Sequence, residues 1–186
     1  MLKKVAVFAS GNGSNFEALY QAQENGMINI DIVLLFCNKK DAYVIERARE
    51  KDIEVYLIDY SKEAEEDIEN KLVTKLKSLN IDLVLLAGFL KKLGSTLISY
   101  CPIINIHPSF LPKYKGLNAI ERAFNNQDKE IGVSVHYIDE FLDNGPIILQ
   151  EGVNVEDKSL EEVYQMVHQL EHQLYIKALQ IVLEED

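Results

Sequence analysis

Apolar residues follow two alternating periodicities along the first hundred positions of the chain. Short apolar runs typical of buried strands are separated by segments in which apolar residues recur every three or four positions, as on one face of a helix. The predicted strands are Val5 to Ala9, Ile30 to Cys37, Glu54 to Ile58, Leu83 to Ala87 and Ile103 to His107. The predicted helices are Asn15 to Glu24, Tyr43 to Lys51 and Lys62 to Leu79. This order predicts a doubly wound, mostly parallel sheet with right-handed crossovers.

The pattern changes after residue 130. Val133 to Ile138 and Ile147 to Val155 are strand-like, and the turn-forming sequence Asp143-Asn144-Gly145-Pro146 lies between them, which predicts an antiparallel C-terminal addition to the sheet. A long C-terminal helix is predicted from one apolar stripe: Leu160, Val163, Val167, Leu170, Leu174, Ala178 and Ile181. With no repeat or linker, residues 1–186 are predicted to form a single Rossmann-like α/β domain.

The net charge of the chain disfavours some classes of binding partner. The 186 residues include 30 acidic and 19 basic side chains, for a formal net charge of −11, which disfavours a broad nucleic-acid or membrane surface. No apolar run approaches the roughly 20 residues of a membrane span. Anionic small molecules remain possible partners where local donors hold them.

The cysteines and the N-terminus indicate a compartment. Cys37 and Cys101 lie in apolar contexts without C-x-x-C spacing, so we expect buried, reduced thiols and a cytoplasmic location. The first apolar run has a basic flank like that of a signal peptide, but it is short and breaks at Ser10-Gly11. We therefore predict a first strand there.

The strongest chemical signal is the segment from Ile103 to Ser109. Side chains alternate along a strand, so Asn105 and His107 project from one face, about 7 Å apart along the backbone. Pro108 ends the strand, so an amide donor and a titratable imidazole lie at a carboxyl end, where open α/β sheets place their ligands. This is a catalytic geometry. The alternative is that both side chains only satisfy backbone groups of the loop.

A glycine-rich loop follows the first strand. In Ser10-Gly11-Asn12-Gly13-Ser14-Asn15, the glycines allow a sharp turn, and the next helix begins with unpaired N–H groups that favour an anion such as phosphate. Phe16 replaces the third glycine of the dinucleotide-binding sequence, and the P-loop lysine is absent. A tight turn in which Ser14 or Asn15 caps the helix is an alternative that is compatible with phosphate binding.

Two further segments carry ionisable groups. Asp143 could hold and charge an imidazole, with His107 as the candidate partner, although a role in the turn alone would also explain it. The sequence from His168 to His172 matches the H-x-x-E-H zinc pattern, but two imidazoles are one ligand short of a catalytic zinc site, so no metal is predicted. Glu171 could instead accept hydrogen bonds from sugar hydroxyls.

Six segments occur in an order that resembles a known family. They are Ser10-Gly11-Asn12-Gly13-Ser14-Asn15, Asn38-Lys39-Lys40-Asp41-Ala42, Leu86-Ala87-Gly88-Phe89, Asn105-Ile106-His107-Pro108-Ser109, Leu111-Pro112-Lys113-Tyr114 and Asp143-Asn144-Gly145-Pro146. The chain resembles the folate-dependent formyltransferases over residues 4 to 180. The glycine-rich loop points to the phosphoribosylglycinamide branch, which serves purine biosynthesis.

The resemblance implies a reaction and a role for each matching residue. It implies transfer of a formyl group from 10-formyltetrahydrofolate, as co-substrate and without metal, to the amine of 5-phosphoribosylglycinamide. The implied phosphate and ribonucleotide residues lie mainly in the N-terminal half, and folate binding is assigned to the C-terminal half. The implied catalytic residues are Asn105, His107 and Asp143; those for the ribonucleotide are Gly13, Ser14, Asn15 and Glu171; those for folate are Lys62, Leu90, Lys91, Lys92, Leu93, Asn105, Asp139, Glu140, Phe141, Leu142 and Asp143.

Three positions depart from the family pattern. Lys62 stands where many relatives carry arginine. An arginine can form two parallel hydrogen bonds to a carboxylate, whereas a lysine provides a single point charge. Lys115 stands where proline is usual, and Asn118 where histidine is common. These differences concern the substrate loops and not the reaction.

The chemistry of formyl transfer agrees with this assignment. Attack of an amine on a formyl carbon forms a tetrahedral oxyanion, for which Asn105 and protonated His107 are suitable donors, and Asp143 with an ordered water could complete proton transfer. Small molecules are the expected partners, and the chain is expected to be a monomer or homodimer.

Three alternatives stay open. A formyltetrahydrofolate hydrolase or a transfer-RNA formyltransferase would share the catalytic residues, but those enzymes usually carry an extra domain that we do not expect here. A non-catalytic folate- or anion-binding domain would need only the pockets. A nicotinamide oxidoreductase is disfavoured, because Asn38-Lys39-Lys40 stands where an acidic residue is expected.

Overall fold

The computed structural model describes residues 2–185. Its elements follow the predicted order, with bounds that differ by a few residues. The strands are β1 (Lys3–Ala9), β2 (Ile30–Cys37), β3 (Glu54–Leu57), β4 (Leu83–Leu86), β5 (Ile103–His107), β6 (Glu130–Tyr137) and β7 (Ile147–Asn154). The helices are α1 (Ser14–Glu24), α2 (Val44–Arg49), α3 (Glu65–Leu79), α4 (Ser95–Ile98), α5 (Ala119–Asn125) and α6 (Leu160–Glu185).

The strands form a seven-stranded sheet in the order β3-β2-β1-β4-β5-β6-β7. β1 pairs in parallel with β2 and β4, β2 pairs in parallel with β3, and β6 pairs with β7 in antiparallel register. The predicted α/β class and the antiparallel addition are therefore confirmed. Two compact units divide within β5, between Ile104 and Asn105; whether the whole chain acts as a single domain stays a prediction.

In the first unit, the central strands β1 and β4 are buried on both faces. All four residues of β4 and the stretch Val5 to Ala9 of β1 are buried, so these strands are continuous apolar runs without alternation. The predicted start of α3 at Lys62 is wrong. Asp59 accepts hydrogen bonds from the backbone and side chain of Ser61, which makes a turn, and the helix begins only at Glu65.

In the second unit, α6 provides most of the helical core. Val163, Val167, Leu174 and Ala178 of the predicted stripe are buried, but Ile181 is exposed. From Leu174 onward the buried side follows the spacing of Tyr175, Ala178, Leu179 and Val182, because an α-helix of 3.6 residues per turn drifts away from a strict seven-residue repeat. The short helices α4 and α5 carried no usable periodic signal in the sequence.

The two cysteines differ in burial. Cys37 is buried at the end of β2, as predicted, whereas Cys101 is only partly buried and lies before β5. Both are free thiols, and burial raises the pKa of Cys101 to about 11. Among the helices of residues 2–185, none is long and apolar enough to cross a membrane.

Candidate active site

The second unit brings the three predicted catalytic residues together. Asn105 and His107 lie on β5, and Asp143 lies in the connection between β6 and β7. The Nδ1 atom of His107 lies 3.5 Å from a carboxylate oxygen of Asp143, and both side chains are buried. The second Asp143 oxygen lies 3.7 Å from Nε2 of His136, which also contacts Asn105. An amide, two imidazoles and a carboxylate thus form one polar cluster.

Both ring nitrogens of His107 face oxygen acceptors. Nε2 lies 3.0 Å from the backbone carbonyl of Tyr114, and Nδ1 faces the Asp143 carboxylate. An imidazole donates from both nitrogens only when it is protonated. The His107 ring therefore lies between two oxygen acceptors, and it presents positive charge to a developing oxyanion when both of its nitrogens carry protons.

The loop that carries Asp143 is held by its own polar groups. The Asp143 carboxylate accepts a hydrogen bond of 2.8 Å from the backbone N–H of Gly116, and its φ angle is 44°. Gly145 is required because a Cβ there would lie 1.9 Å from the carbonyl oxygen of Tyr137. The Asp139 carboxylate accepts from the N–H of Phe141 and from Asn144, and these bonds lower the pKa of Asp139. The loop thereby leaves Phe141 and Leu142 exposed.

His136 is a site residue that the sequence analysis missed. Its Nδ1–H donates to the carbonyl of Tyr137 at 2.8 Å, so Nε2 is left to accept a hydrogen bond from the Asn105 amide at 3.2 Å. Burial lowers the pKa of His136, against opposing contributions from the Tyr137 carbonyl and Asp143. The neutral ring therefore fixes which end of the Asn105 amide is the donor. A histidine inside a mostly apolar strand was the signal in the sequence.

The glycine-rich loop of the first unit ends at the start of α1. Gly13 is the N-cap residue with a φ of 81°, and a Cβ there would lie 2.4 Å from Val44. No side chain caps α1, so the alternative in which Ser14 or Asn15 caps the helix is wrong. The first N–H groups of the helix are thus not claimed by a capping side chain. Within residues 2–185, the buried Oδ1 of Asn15 has no hydrogen-bond partner.

Glu171 is a buried carboxylate on α6. One of its oxygens accepts a hydrogen bond of 2.6 Å from Nδ1 of His168, and this bond raises the pKa of His168. Burial lowers the pKa of the neighbouring His172. No group of three or more potential metal ligands occurs among the residues that the structure describes.

The predicted folate residues of the first unit lie on two loops. Leu90 is exposed, and its N–H donates to the Ser10 hydroxyl at 3.2 Å, whereas Leu93 is buried in the core. Lys91 and Lys92 are exposed. The ammonium of Lys62 lies 3.5 Å from a carboxylate oxygen of Asp59.

Lys115 and Asn118, which depart from the family pattern, lie in the second unit. Lys115 donates to the Asn144 side chain at 2.9 Å. Asn118 adopts a φ of 57° and is the N-cap residue of α5. Glu140 is exposed in the same loop as Phe141.

Comparison with known proteins decides the family. The sequence pattern described as "Formyl transferase" matches residues 3–179. The chain belongs to this family. It is 39% identical over 186 residues to the phosphoribosylglycinamide formyltransferase of Bacillus subtilis, covering 98% of this chain and 95% of that protein. It is 37% identical over 175 residues to the enzyme of the same name from Escherichia coli, covering 92% and 82%.

A solved structure agrees with the sequence relatives. The crystal structure of phosphoribosylglycinamide formyltransferase from Bacillus halodurans matches with a TM-score of 0.93 and 41% identity, covering 97% of this chain and 95% of that one. The family resemblance derived from the sequence segments is confirmed. The formyltransferase architecture extends over nearly the whole chain.

Proposed function

We propose that this protein transfers the formyl group of 10-formyltetrahydrofolate to the amine of 5-phosphoribosylglycinamide, a step of de novo purine biosynthesis. The observation that carries the proposal is the cluster of half-buried Asn105 with buried His107 and Asp143 in a chain that belongs to the formyl transferase family. Relatives named for this acceptor align over nearly the whole chain, which favours it over other acceptors.

The reaction proceeds by direct attack through a tetrahedral intermediate. The amine nitrogen bonds to the formyl carbon, the carbonyl oxygen becomes an oxyanion, and the bond from that carbon to the folate nitrogen then breaks. The Asn105 amide donates to the oxyanion, and the positive charge of the His107 imidazolium stabilises it. The amine loses a proton and the folate nitrogen gains one; Asp143, His107 and a water carry this transfer.

The ribonucleotide is bound by charge and hydrogen bonds. Gly13, Ser14 and Asn15 hold its phosphate at the uncapped start of α1, where the helix dipole favours an anion. Glu171 accepts hydrogen bonds from the sugar hydroxyls. Since His168 occupies one carboxylate oxygen of Glu171, the other oxygen serves the ligand.

The proposed folate residues occur in both halves of the sequence, so the division into an N-terminal ribonucleotide half and a C-terminal folate half is only approximate in this proposal. Among these residues, Leu90, Phe141 and Leu142 expose apolar side chains of the kind that suits the ring system. The other proposed folate residues are Lys62, Lys91, Lys92, Leu93, Asn105, Asp139, Glu140 and Asp143. No metal takes part. The protein works in the cytoplasm as a monomer or homodimer.

One assay separates this function from its alternatives. The protein is mixed with 10-formyltetrahydrofolate and the ribonucleotide, tetrahydrofolate formation is followed by absorbance, and the formylated ribonucleotide is identified by mass spectrometry. We expect both products in equal amounts, and neither when the ribonucleotide is omitted. Formate release without acceptor would instead indicate a hydrolase. Folate binding without turnover would indicate a non-catalytic domain.

A further inference from the structure

The segment of residues 109–114, which follows His107, forms a compact turn. The Ser109 hydroxyl donates to the carbonyl of Lys113 at 2.6 Å, and the N–H of Lys113 donates to the carbonyl of Phe110 at 2.9 Å. The turn ends at Tyr114, whose carbonyl oxygen lies 3.0 Å from Nε2 of His107. The position of this acceptor therefore depends on how the turn is held.

Two facing side chains of β6 and β7 hold the turn by hydrogen bonds. Ser134 and Gln150 are register partners in the antiparallel pair. The Ser134 hydroxyl donates to the carbonyl of Ser109 at 2.5 Å and accepts from the N–H of Leu111 at 3.1 Å. Nε2 of Gln150 donates to the Ser134 hydroxyl at 2.7 Å and to the carbonyl of Leu111 at 3.1 Å. The Gln150 amide thus reaches the turn both directly and through Ser134.

A pair of glycines receives the aromatic ring of the turn. Gly132 and Gly152 face each other on β6 and β7, two residues away from the Ser134 and Gln150 pair. A Cβ at either glycine would collide with the Phe110 ring. The ring therefore packs against the bare backbone of both strands, which is a second attachment of the turn to this part of the sheet.

One face of β6 serves both the turn and the polar cluster of the site. Alternate residues of a strand project to the same side, so Gly132, Ser134 and His136 form a row. Gly132 and Ser134 contact the turn that brings a carbonyl to His107. His136, the next member of the row, contacts Asn105 at 3.2 Å. The same strand therefore supports the surroundings of both side chains on β5.

The Ser134 and Gln150 pair contributes geometry more than stability. A hydrogen-bonded polar pair stabilises a fold by little in net terms, and an apolar pair of the same shape is often equally stable. Ser134 is fully buried, and its hydroxyl uses its one donor and both acceptor positions. A fully satisfied buried network of this kind fixes a single arrangement of the groups that it joins.

We propose that Gln150 is a positioning residue for formyl transfer, which acts through Ser134 and the turn on the orientation of the His107 ring. The inference rests on the proposed function, in which the His107 imidazolium stabilises the oxyanion. The hydrogen bonds of the Gln150 side chain go to Ser134 and Leu111, so its effect on His107 is indirect. Without this amide, the turn is free to shift and to carry the Tyr114 carbonyl away from the ring.

The first test replaces the amide by an apolar side chain of similar size. We expect Gln150→Leu to lower kcat about 10- to 100-fold and to change the ribonucleotide KM less than about twofold, because a misplacement of about 1 Å in an active site can cost about 100-fold in rate. If this variant does not fold, Ser134→Ala tests the same connection, since it removes the hydroxyl between Gln150 and Ser109. Wild-type kcat in a folded variant would overturn the proposal.

A second variant tests the hydrogen bond itself. In Gln150→Glu the side chain donates only when its carboxyl group is protonated. The ratio of its kcat to that of Gln150→Leu should therefore rise as pH falls through the mildly acidic range. A ratio that does not change with pH would overturn the assignment of the effect to this donor.

The matched control lowers stability elsewhere in the same unit. Val182→Ala removes buried methyl groups near the end of α6, and it should lower Tm while keeping the wild-type kcat. If Val182→Ala lowers kcat as much as Gln150→Leu does, the effect is one of stability and the proposal is wrong, although the proposed function stands. Absence of turnover in the wild-type protein would instead remove the proposed function, and the positioning role with it.

Discussion

The two compact units differ in the burial and pairing of their functional polar groups. In the second unit, His107, His136, Asp143 and Glu171 are all buried, and each is paired with another side chain or a backbone group, Glu171 with His168. In the first unit, Lys39, Lys40 and Lys62 on the loops after β2 and β3 are exposed, and Lys39 and Lys40 are unpaired within the described residues.

The difference follows from the cost of burial. A buried polar group destabilises the fold unless it is hydrogen-bonded, so burial forces the second unit to fix the orientation of each group. Such fixed dipoles suit the stabilisation of a transition state. Exposed lysines carry no such penalty and remain mobile, which suits the capture of a charged substrate. We therefore expect changes in the second unit to lower kcat and changes in the first unit to raise KM.

The largest effect is expected from Asp143→Asn. The amide keeps the shape of the carboxylate but removes the negative charge that faces His107. When the amide nitrogen takes the place of the oxygen that accepts from the Gly116 N–H, that hydrogen bond is lost as well. Loss of positioned proton transfer typically costs about 100- to 10,000-fold in rate, so we expect a kcat loss in this range. Single-turnover kinetics measures it, and circular dichroism checks the fold. Near-normal activity in a folded variant would exclude an electrostatic role for Asp143.

Asn105→Ala should have the next largest effect. It removes one proposed oxyanion donor, which typically lowers kcat by about 100- to 1,000-fold. The isosteric Asn105→Asp should be comparably poor, since a carboxylate repels the developing charge. The KM of the ribonucleotide serves as internal control and should change little. If single-turnover formyl transfer is unchanged and only KM rises, Asn105 positions the substrate and does not stabilise the oxyanion.

His136 should make the stability of the second unit depend on pH. Burial lowers the pKa of His136, so the folded protein takes up its proton less readily than the unfolded chain does. The stabilisation is present above the unfolded pKa of about 6.5 and is lost as pH falls below it towards the lower folded value. Urea unfolding at pH 7.5 and 5.5 should show a smaller acid destabilisation in His136→Gln than in the wild-type protein. Equal losses in both proteins would show that His136 titrates normally.

The smallest effect is expected from Ser14→Ala in the first unit. Loss of one hydrogen bond to the substrate phosphate should raise the ribonucleotide KM by about two- to tenfold, with kcat little changed. Ser78→Ala on the exposed side of α3 is the matched control, because the Ser78 hydroxyl donates to the Lys75 carbonyl of the same helix. Substitution of Gly13 is unsuitable, since a side chain there collides with Val44. A fall in kcat without a change in KM would contradict a binding role for Ser14.

Much of the fold was predictable because its signals are local. The strands β2 and β5 have the predicted bounds, and the others differ by one to three residues at an end. The predicted bounds and burial are wrong where turns or tertiary contacts determine them. The helix α3 starts late because Asp59 and Ser61 form a turn, and Ile181 is exposed because the buried face of α6 rotates along its length.

The sequence by itself determined the order of the elements and the pairing of Asn105 with His107, because side-chain alternation along a strand depends only on neighbouring residues. It also carried the family, through segments whose spacing is preserved along the chain. Only the tertiary structure decided that His136 orients Asn105 and that the Tyr114 carbonyl accepts a hydrogen bond from His107. It also decided that Lys39, Lys40 and Asp59 line one cavity. The Asn105 and His136 partners are separated by 31 positions, and no local pattern records which distant groups meet when the chain buries its polar side chains.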